Sequence, residues 1–110
     1  MHYKTTYKDI NKFFNIFNKA LFKNKLIPFN DIKIRKMNKT WGQFVEVFNN
    51  RKKTISYELE MLPEYPNKKE FLSTLAHECI HYSQILFRKG NVAHNKYFYS
   101  FKSKFKKLKN

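Results

Sequence analysis

The sequence predicts an α+β domain with the order helix, three strands, helix, helix. Three observations support this fold class. Apolar residues recur with the helical period near the start of the chain and in two segments of its second half. Apolar and polar residues alternate in short runs between residues 31 and 57, a pattern typical of strands. The chain has 110 residues, including 12 Phe and seven Tyr, which suffices for one core. We therefore expect residues 1–110 to form a single domain.

The first helix is predicted over residues 6–23. Thr6 is a typical N-cap residue, and the acidic Asp9 follows three positions later. Pro28 disfavours helical backbone at the residue before it, so the helix must end upstream of this proline. The apolar face of the helix consists of Ile10, Phe13, Phe14, Phe17 and Leu21.

Alternating apolar and polar residues predict strands over residues 31–37, 41–48 and 53–57. The segments between them, residues 38–40 and 49–52, are short and polar. Short polar connections are typical of hairpins between consecutive strands. We therefore expect a three-stranded antiparallel sheet.

The second helix is predicted to begin at about Lys68, and it contains the H-E-x-x-H pattern from His77 to His81. Residues four apart lie on the same face of a helix, so both histidines can bind one metal ion. Glu78 lies next to His77, where it can act on a water molecule as a general base. The alternative is a pair of core histidines held by hydrogen bonds alone. The apolar positions that predict burial are Leu72, Leu75, Ala76, Cys79, Ile80 and Ile85.

A third ligand is needed, because a catalytic zinc site has three protein ligands and one open position. No Asp or Glu follows Cys79, so a carboxylate further along the chain is excluded. The only downstream histidine is His94, and Gly90 allows the chain to leave the helix before it. We predict that His94 is the third ligand, the alternative being a surface histidine at the start of the last helix. Cys79 is two residues from each histidine and is expected in the core. The apolar positions of the last helix are Tyr97, Phe98, Phe101, Phe105 and Leu108.

The run TLAHECIHY, followed by AHNKYF, resembles the SprT-like zinc metallopeptidases, which include the Spartan proteases. In that family a histidine with a large aromatic residue four positions later follows the H-E-x-x-H helix, and His94 and Phe98 match this pattern. Asn95 stands where the family usually has Gly. A first helix followed by N-K-L-I-P is also similar to the start of SprT-like domains. The resemblance implies a zincin-like fold, with a small sheet packed against the zinc-binding helix.

The predicted function is a zinc-dependent metalloendopeptidase that hydrolyses a protein or peptide substrate. His77, His81 and His94 are the predicted Zn²⁺ ligands, and Glu78 is the predicted general base. The ring nitrogens of the ligand histidines also need an acceptor, either a backbone carbonyl or one of Glu46, Glu58 and Glu60. A hydrogen-bond donor is also expected to stabilise the oxyanion. The candidates are Tyr57, Tyr65, Tyr97 and Tyr99, and the sequence does not choose among them.

The net charge of +15, from 23 basic and 8 acidic residues, predicts attraction to polyanions. We expect non-specific nucleic-acid binding through a broad basic surface. The family resemblance points the same way, because Spartan-like members act on proteins crosslinked to DNA. One alternative function is a non-catalytic, basic nucleic-acid-binding protein on a zinc-stabilised metallopeptidase scaffold. Another is a protein that binds membrane surfaces or acidic partners through its lysine-rich last helix.

The cysteine count, the apolar runs and the N-terminal sequence indicate the cellular compartment of the protein. One cysteine excludes an intramolecular disulfide and a four-cysteine zinc ribbon. No apolar run approaches 18 residues, and the N-terminus lacks the layout of a signal peptide. We therefore expect an intracellular, cytoplasmic protein without a membrane span. The abundance of Lys, Asn, Phe and Ile is typical of an AT-rich genome, such as that of a phage acting in its host cell or of a low-GC bacterium.

Overall fold

The computed structural model describes residues 2–87 and 96–109, with side chains as far as Lys106. The chain is α+β, as predicted. The first two helices and the three longer strands begin at or next to their predicted positions. The predicted start of the last helix, near His94, lies outside the described residues. The elements in chain order are β1 (Tyr3–Lys4), α1 (Tyr7–Leu21), β2 (Asp31–Ile34), β3 (Gly42–Asn49), β4 (Thr54–Met61), β5 (Glu64–Tyr65), α2 (Lys68–Phe87) and α3 (Lys96–Lys109).

The ends of α1 are determined by side-chain hydrogen bonds. Thr6 is the N-cap, and its hydroxyl oxygen accepts a hydrogen bond from the Asp9 N–H at 3.1 Å. Near the other end, the buried Asn18 amide donates to the Leu26 carbonyl and accepts from the Leu26 N–H, both at 2.9 Å. These two bonds hold the loop after α1 against the helix. The predicted face is confirmed, because Ile10, Phe14 and Phe17 are buried and Phe13 and Leu21 are partly buried against the core.

The main sheet has the strand order β2-β4-β3. β3 and β4 form the predicted antiparallel hairpin, with Gly42 opposite Met61 and Asn49 opposite Thr54. β2 pairs with β4 in parallel, so the prediction of an all-antiparallel sheet was wrong. β4 carries buried residues at its end and lies in the centre, where strands on both sides cover it. The connection over residues 35–41 is longer than a hairpin turn, and it lets β3 reach the far side of β4.

Two short strands were not predicted. β1 pairs antiparallel with β5, with Tyr3 opposite Tyr65. Each has two residues, too few to show an alternating pattern. This pairing places the start of the chain next to the segment that leads into α2.

The core lies between the sheet and α2, with α1 and α3 packed against other faces of α2. Tyr82 of α2 illustrates the packing, since its ring centroid is 4.4 Å from that of Phe29 and 5.2 Å from that of Phe44. α2 is therefore enclosed on several sides, and the residues it carries are held in place. None of the helices in the described ranges is long and apolar enough to cross a membrane.

Candidate metal centre

The two histidines of α2 turn the same nitrogen towards each other. His77 Nε2 and His81 Nε2 are 3.0 Å apart. Two nitrogens that bind one tetrahedral zinc at about 2.0–2.1 Å are roughly 3.3 Å apart. A slight widening of the pair would therefore suit a shared zinc ion. The donor types fit this metal, and their spacing is close to the one that it requires.

Gln84 determines which nitrogen of His81 is available. Its side-chain oxygen, Oε1, lies 2.8 Å from His81 Nδ1, and the Gln84 side chain is fully buried. Because an amide oxygen only accepts hydrogen bonds, His81 Nδ1 carries the proton and Nε2 keeps its lone pair. Metal-binding histidines are commonly oriented in this way.

The predicted acceptors for the ring nitrogens were wrong in the case of His81. The candidates were a backbone carbonyl and the side chains of Glu46, Glu58 and Glu60. The acceptor for His81 Nδ1 is instead the side chain of Gln84. Glu58 instead pairs with Lys33 at 3.2 Å, and Glu60 accepts from Arg35 at 3.0 Å and from the side chain of Gln43. The i, i+3 spacing of His81 and Gln84 on one helix is the signal that could have identified the acceptor.

Phe98 of α3 covers both imidazoles and is only 2% exposed. Its ring lies nearly parallel to that of His81, with centroids 5.0 Å apart and an interplanar angle of 27°. It meets His77 edge-on at 4.9 Å. Phe98 therefore limits how far the two rings can rotate.

An open cleft of about 300 Å³ lies beside His77. One side, the helix wall, is formed by Ser73, Thr74, His77 and Glu78 of α2. The other side, the strand wall, is formed by Thr40, Trp41 and Gly42 at the start of β3. Lys102 of α3 contributes a third side. This lysine was not singled out by sequence reasoning, because it is one of many in the last helix.

Glu78 is largely buried where it lines this cleft, with 7% of its surface exposed. Removal from water raises the pKa of its carboxyl to about 8. The buried carboxyl therefore holds a proton more readily than a carboxyl in water does.

Gly42 is where the two walls meet. A Cβ atom at this position would lie 2.6 Å from Thr74 Cγ2, closer than real side chains pack. Thr74 cannot turn away freely, because its hydroxyl donates to the Glu70 carbonyl at 2.9 Å. The absence of a side chain at Gly42 thus lets β3 approach α2 and determines the width of the cleft.

None of the four tyrosines predicted as oxyanion donors lines the cleft. The Tyr65 hydroxyl donates to the Trp41 carbonyl, and the Tyr97 hydroxyl donates to Ser83 Oγ at 2.9 Å. Tyr57 packs in the aromatic cluster under the sheet, and Tyr99 is 55% exposed beside Phe98. Among the residues that the structure describes, the polar side chains that do line the cleft, besides His77 and Glu78, are Thr40, Ser73, Thr74 and Lys102.

The predicted third ligand, His94, and the predicted helix end at Gly90 lie outside the described residues. Over residues 2–87 and 96–109, no three His, Cys, Asp or Glu side chains come together as a possible metal site. Cys79 is fully buried in the core, as predicted. Burial raises the pKa of its thiol, so this side chain stays protonated and is a poor metal ligand.

The profile of the SprT-like family matches residues 10–110, which is nearly the whole chain. No curated protein and no solved structure matches the chain. The matched segment includes the H-E-x-x-H helix, both walls of the cleft and Phe98. The chain belongs to the SprT-like family.

Proposed function

We propose that residues 1–110 form a zinc-dependent metalloendopeptidase domain that acts on proteins at or near nucleic acid. The observation that carries the proposal is the pair of converging Nε2 atoms beside Glu78 at an open cleft. Membership of the SprT-like family supports the same conclusion. His77 and His81, together with the predicted ligand His94, would hold the zinc ion.

The chain's own residues would divide the work of hydrolysis between them. A bound zinc ion would supply a Lewis acid that polarises the scissile carbonyl and activates water. Glu78 would take a proton from the attacking water and return it to the leaving amine. Gln84 and Phe98 would keep the two imidazoles in position during this transfer. Lys102 is the cationic side chain among those described at the cleft, and it could approach negative charge on the substrate.

The strand wall offers a place for the substrate backbone. β3 is an edge strand of the described sheet, with β4 on one side only. Gly42, at the start of this strand, lines the cleft next to the helix wall. An extended peptide could add to such an edge through main-chain hydrogen bonds. Its scissile bond would then pass in front of Glu78 and the histidines.

The alternative is a non-catalytic nucleic-acid-binding protein in which zinc only stabilises the scaffold. A structural zinc site is closed and has no use for a general base. The placement of Glu78 at an open cleft therefore favours the peptidase. The charge of +15 favours contact with nucleic acid under either function.

The test combines zinc content with hydrolysis. We expect about one zinc per purified wild-type chain by elemental analysis, and clear loss of zinc from His81→Ala and His94→Ala. Glu78→Gln should retain zinc and lose hydrolysis of an unfolded protein substrate, assayed with and without single-stranded DNA. Glu70→Gln, on the same helix but outside the cleft lining, is the matched control and should retain both.

Three outcomes would contradict the proposal. Full hydrolytic activity in Glu78→Gln would exclude its role as general base. Folded wild-type protein that takes up no added zinc would exclude the metal centre. One zinc per chain without hydrolysis of any protein substrate would support the scaffold alternative.

A further inference from the structure

A second cavity, of about 360 Å³, opens beside the strand wall. Residues 35–40 of the β2–β3 connection and Gln43 form it, and we call it the basic pocket. Its described lining contains Arg35, Lys36 and Lys39 and no acidic side chain. Thr40 belongs to both this pocket and the cleft, so the two cavities are neighbours.

The charge of the basic pocket is only partly compensated. Glu60 neutralises Arg35, whose Nη2 donates a hydrogen bond to the Glu60 carboxylate at 3.0 Å, and the same carboxylate accepts a hydrogen bond from the Gln43 side chain. Among the described residues, neither Lys36 nor Lys39 takes part in an ion pair, and both are exposed. Glu64 shares a different cavity with Lys36 and does not line the basic pocket. The pocket therefore keeps a net positive charge that is free to meet an anion.

Trp41 lines the cleft on the strand wall and directly follows Thr40, which lines both cavities. Its side chain is 48% exposed, and one described ring contact, with Tyr65 at 6.0 Å, supports it. An exposed indole beside lysines is the arrangement that binds a single strand of nucleic acid, because a base can stack on the ring while phosphates meet the cations. A duplex would not offer an unstacked base to the same ring.

We propose that the basic pocket and Trp41 form a binding site for single-stranded nucleic acid at the rim of the cleft. Lys36 and Lys39 would contact backbone phosphates, and Trp41 would stack on a base. An acidic peptide could pair with the lysines, but it would not use the exposed indole in this way. The proposal rests on the proposed function, because it specifies which residues make the nucleic-acid contact. It does not depend on the zinc chemistry.

The chain has one tryptophan, so its fluorescence reports on this site alone. The experiment titrates the full-length, zinc-loaded protein with an oligothymidylate and follows the emission of Trp41. We expect saturable quenching that weakens with salt. A duplex of equal length should produce little quenching. The variant Trp41→Leu, whose binding is followed by fluorescence anisotropy of a labelled oligonucleotide, should lose about five-fold or more in affinity.

Charge variants separate the site from the general field of the protein. Lys36→Gln/Lys39→Gln should weaken binding several-fold and reduce the slope of log K against log salt by about 1 to 2. Lys52→Gln/Lys53→Gln removes the same charge at the far end of the β3–β4 hairpin, roughly 20 Å along the strands. This control should bind nearly as well as the wild type. Circular dichroism melts confirm that each variant is folded.

Equal weakening in both double variants would overturn the proposal, since it would reveal only a diffuse charge effect. Trp41 emission that does not change at saturating oligonucleotide would also overturn it. Equal quenching by a polyglutamate peptide would show a general anion site instead of a nucleic-acid site. Quenching without any hydrolysis would overturn the peptidase alone, and hydrolysis without quenching would overturn this site alone.

Discussion

The two walls of the cleft differ in how firmly their side chains are held. On the helix wall, Glu78 is 93% buried, and the adjacent imidazoles lie against Phe98. On the strand wall, Trp41 is about half exposed and Thr40 belongs to a surface connection. Catalytic groups must be fixed to within a fraction of an ångström, whereas a recognition surface must remain accessible. The difference means that the helix wall suits the proposed chemistry and the strand wall suits the proposed binding.

The cause lies in where each wall is placed in the fold. α2 is packed against α1, α3 and β3, so a residue at almost any position on it has neighbours. The β2–β3 connection leaves the sheet to pass around the end of β4, so its side chains face solvent. Burial of α2 thus supplies the support that its polar groups need, and the same support is missing from the strand wall.

The largest expected effect comes from Phe98, which supports the helix wall. Phe98→Ala should lower the free energy of unfolding by about 3–5 kcal/mol in urea denaturation, because it leaves a cavity in the core. Phe105→Ala is the matched control, since Phe105 is on the same helix and equally buried. Both variants should lose stability, but only Phe98→Ala should also weaken zinc binding. Equal zinc affinity in the two folded variants would show that Phe98 has no specific role at the imidazoles.

Gln84 tests whether the orientation of His81 matters. Gln84→Leu keeps the approximate volume and removes the acceptor, so zinc affinity should fall by about 10- to 100-fold. A competition titration with a chromophoric chelator would measure this. Gln84→Glu retains an acceptor for His81 Nδ1 and should bind zinc more tightly than the Leu variant. If the Leu variant matched the wild type, the hydrogen bond would not orient His81.

The contact between the strand wall and the helix wall is tested at Gly42. Gly42→Ala should cost about 1 kcal/mol, near the low end for overpacking, because the clashing atom is a side-chain methyl group. Thr74→Ser removes that methyl group and keeps the hydroxyl that donates to Glu70. Combining the two changes should therefore recover most of the lost stability, measured as a double-mutant cycle. If the stability losses of Gly42→Ala and Thr74→Ser were simply additive, the clash would not involve the Thr74 methyl group.

The smallest effect on stability is expected at Glu60, which lies on β4 opposite Gln43. Hydrogen bonds from Gln43 and Arg35 lower the pKa of the Glu60 carboxyl from its usual value of 4.5. A lowered pKa means that this group contributes stability above about pH 4.5 and that the contribution disappears as the pH falls through the lower folded value. Glu60→Gln should cost less than about 1 kcal/mol at pH 7, because an amide oxygen can still accept both bonds.

The pH profile of this variant completes the comparison. Urea denaturation between pH 3 and pH 7 should show a smaller loss of stability on acidification for Glu60→Gln than for the wild type. An identical dependence in the two proteins would show that Glu60 has the same pKa folded and unfolded. The ion pair with Arg35 would then contribute nothing to the acid sensitivity of the wall.

The sequence by itself determined the features that depend on local rules. The α-helices and the three longer strands follow from periodicity, and the N-cap at Thr6 follows from residue type and spacing. The convergence of His77 and His81 follows from the pitch of a helix, which brings residues four apart together whatever surrounds them. The match of His94 to the third ligand remains a prediction from residue type and family resemblance.

Only the tertiary structure decided the features that join residues distant in the chain. The central place of β4 depends on competition between strands for burial, which a local alternation cannot express. The cleft lining depends on Gly42, Thr74 and Lys102, which lie on three different elements. The placement of the cleft and the basic pocket on either side of Thr40 depends on the path of the chain around β4. Such contacts arise from packing free energy summed over the whole fold, and no local pattern records them.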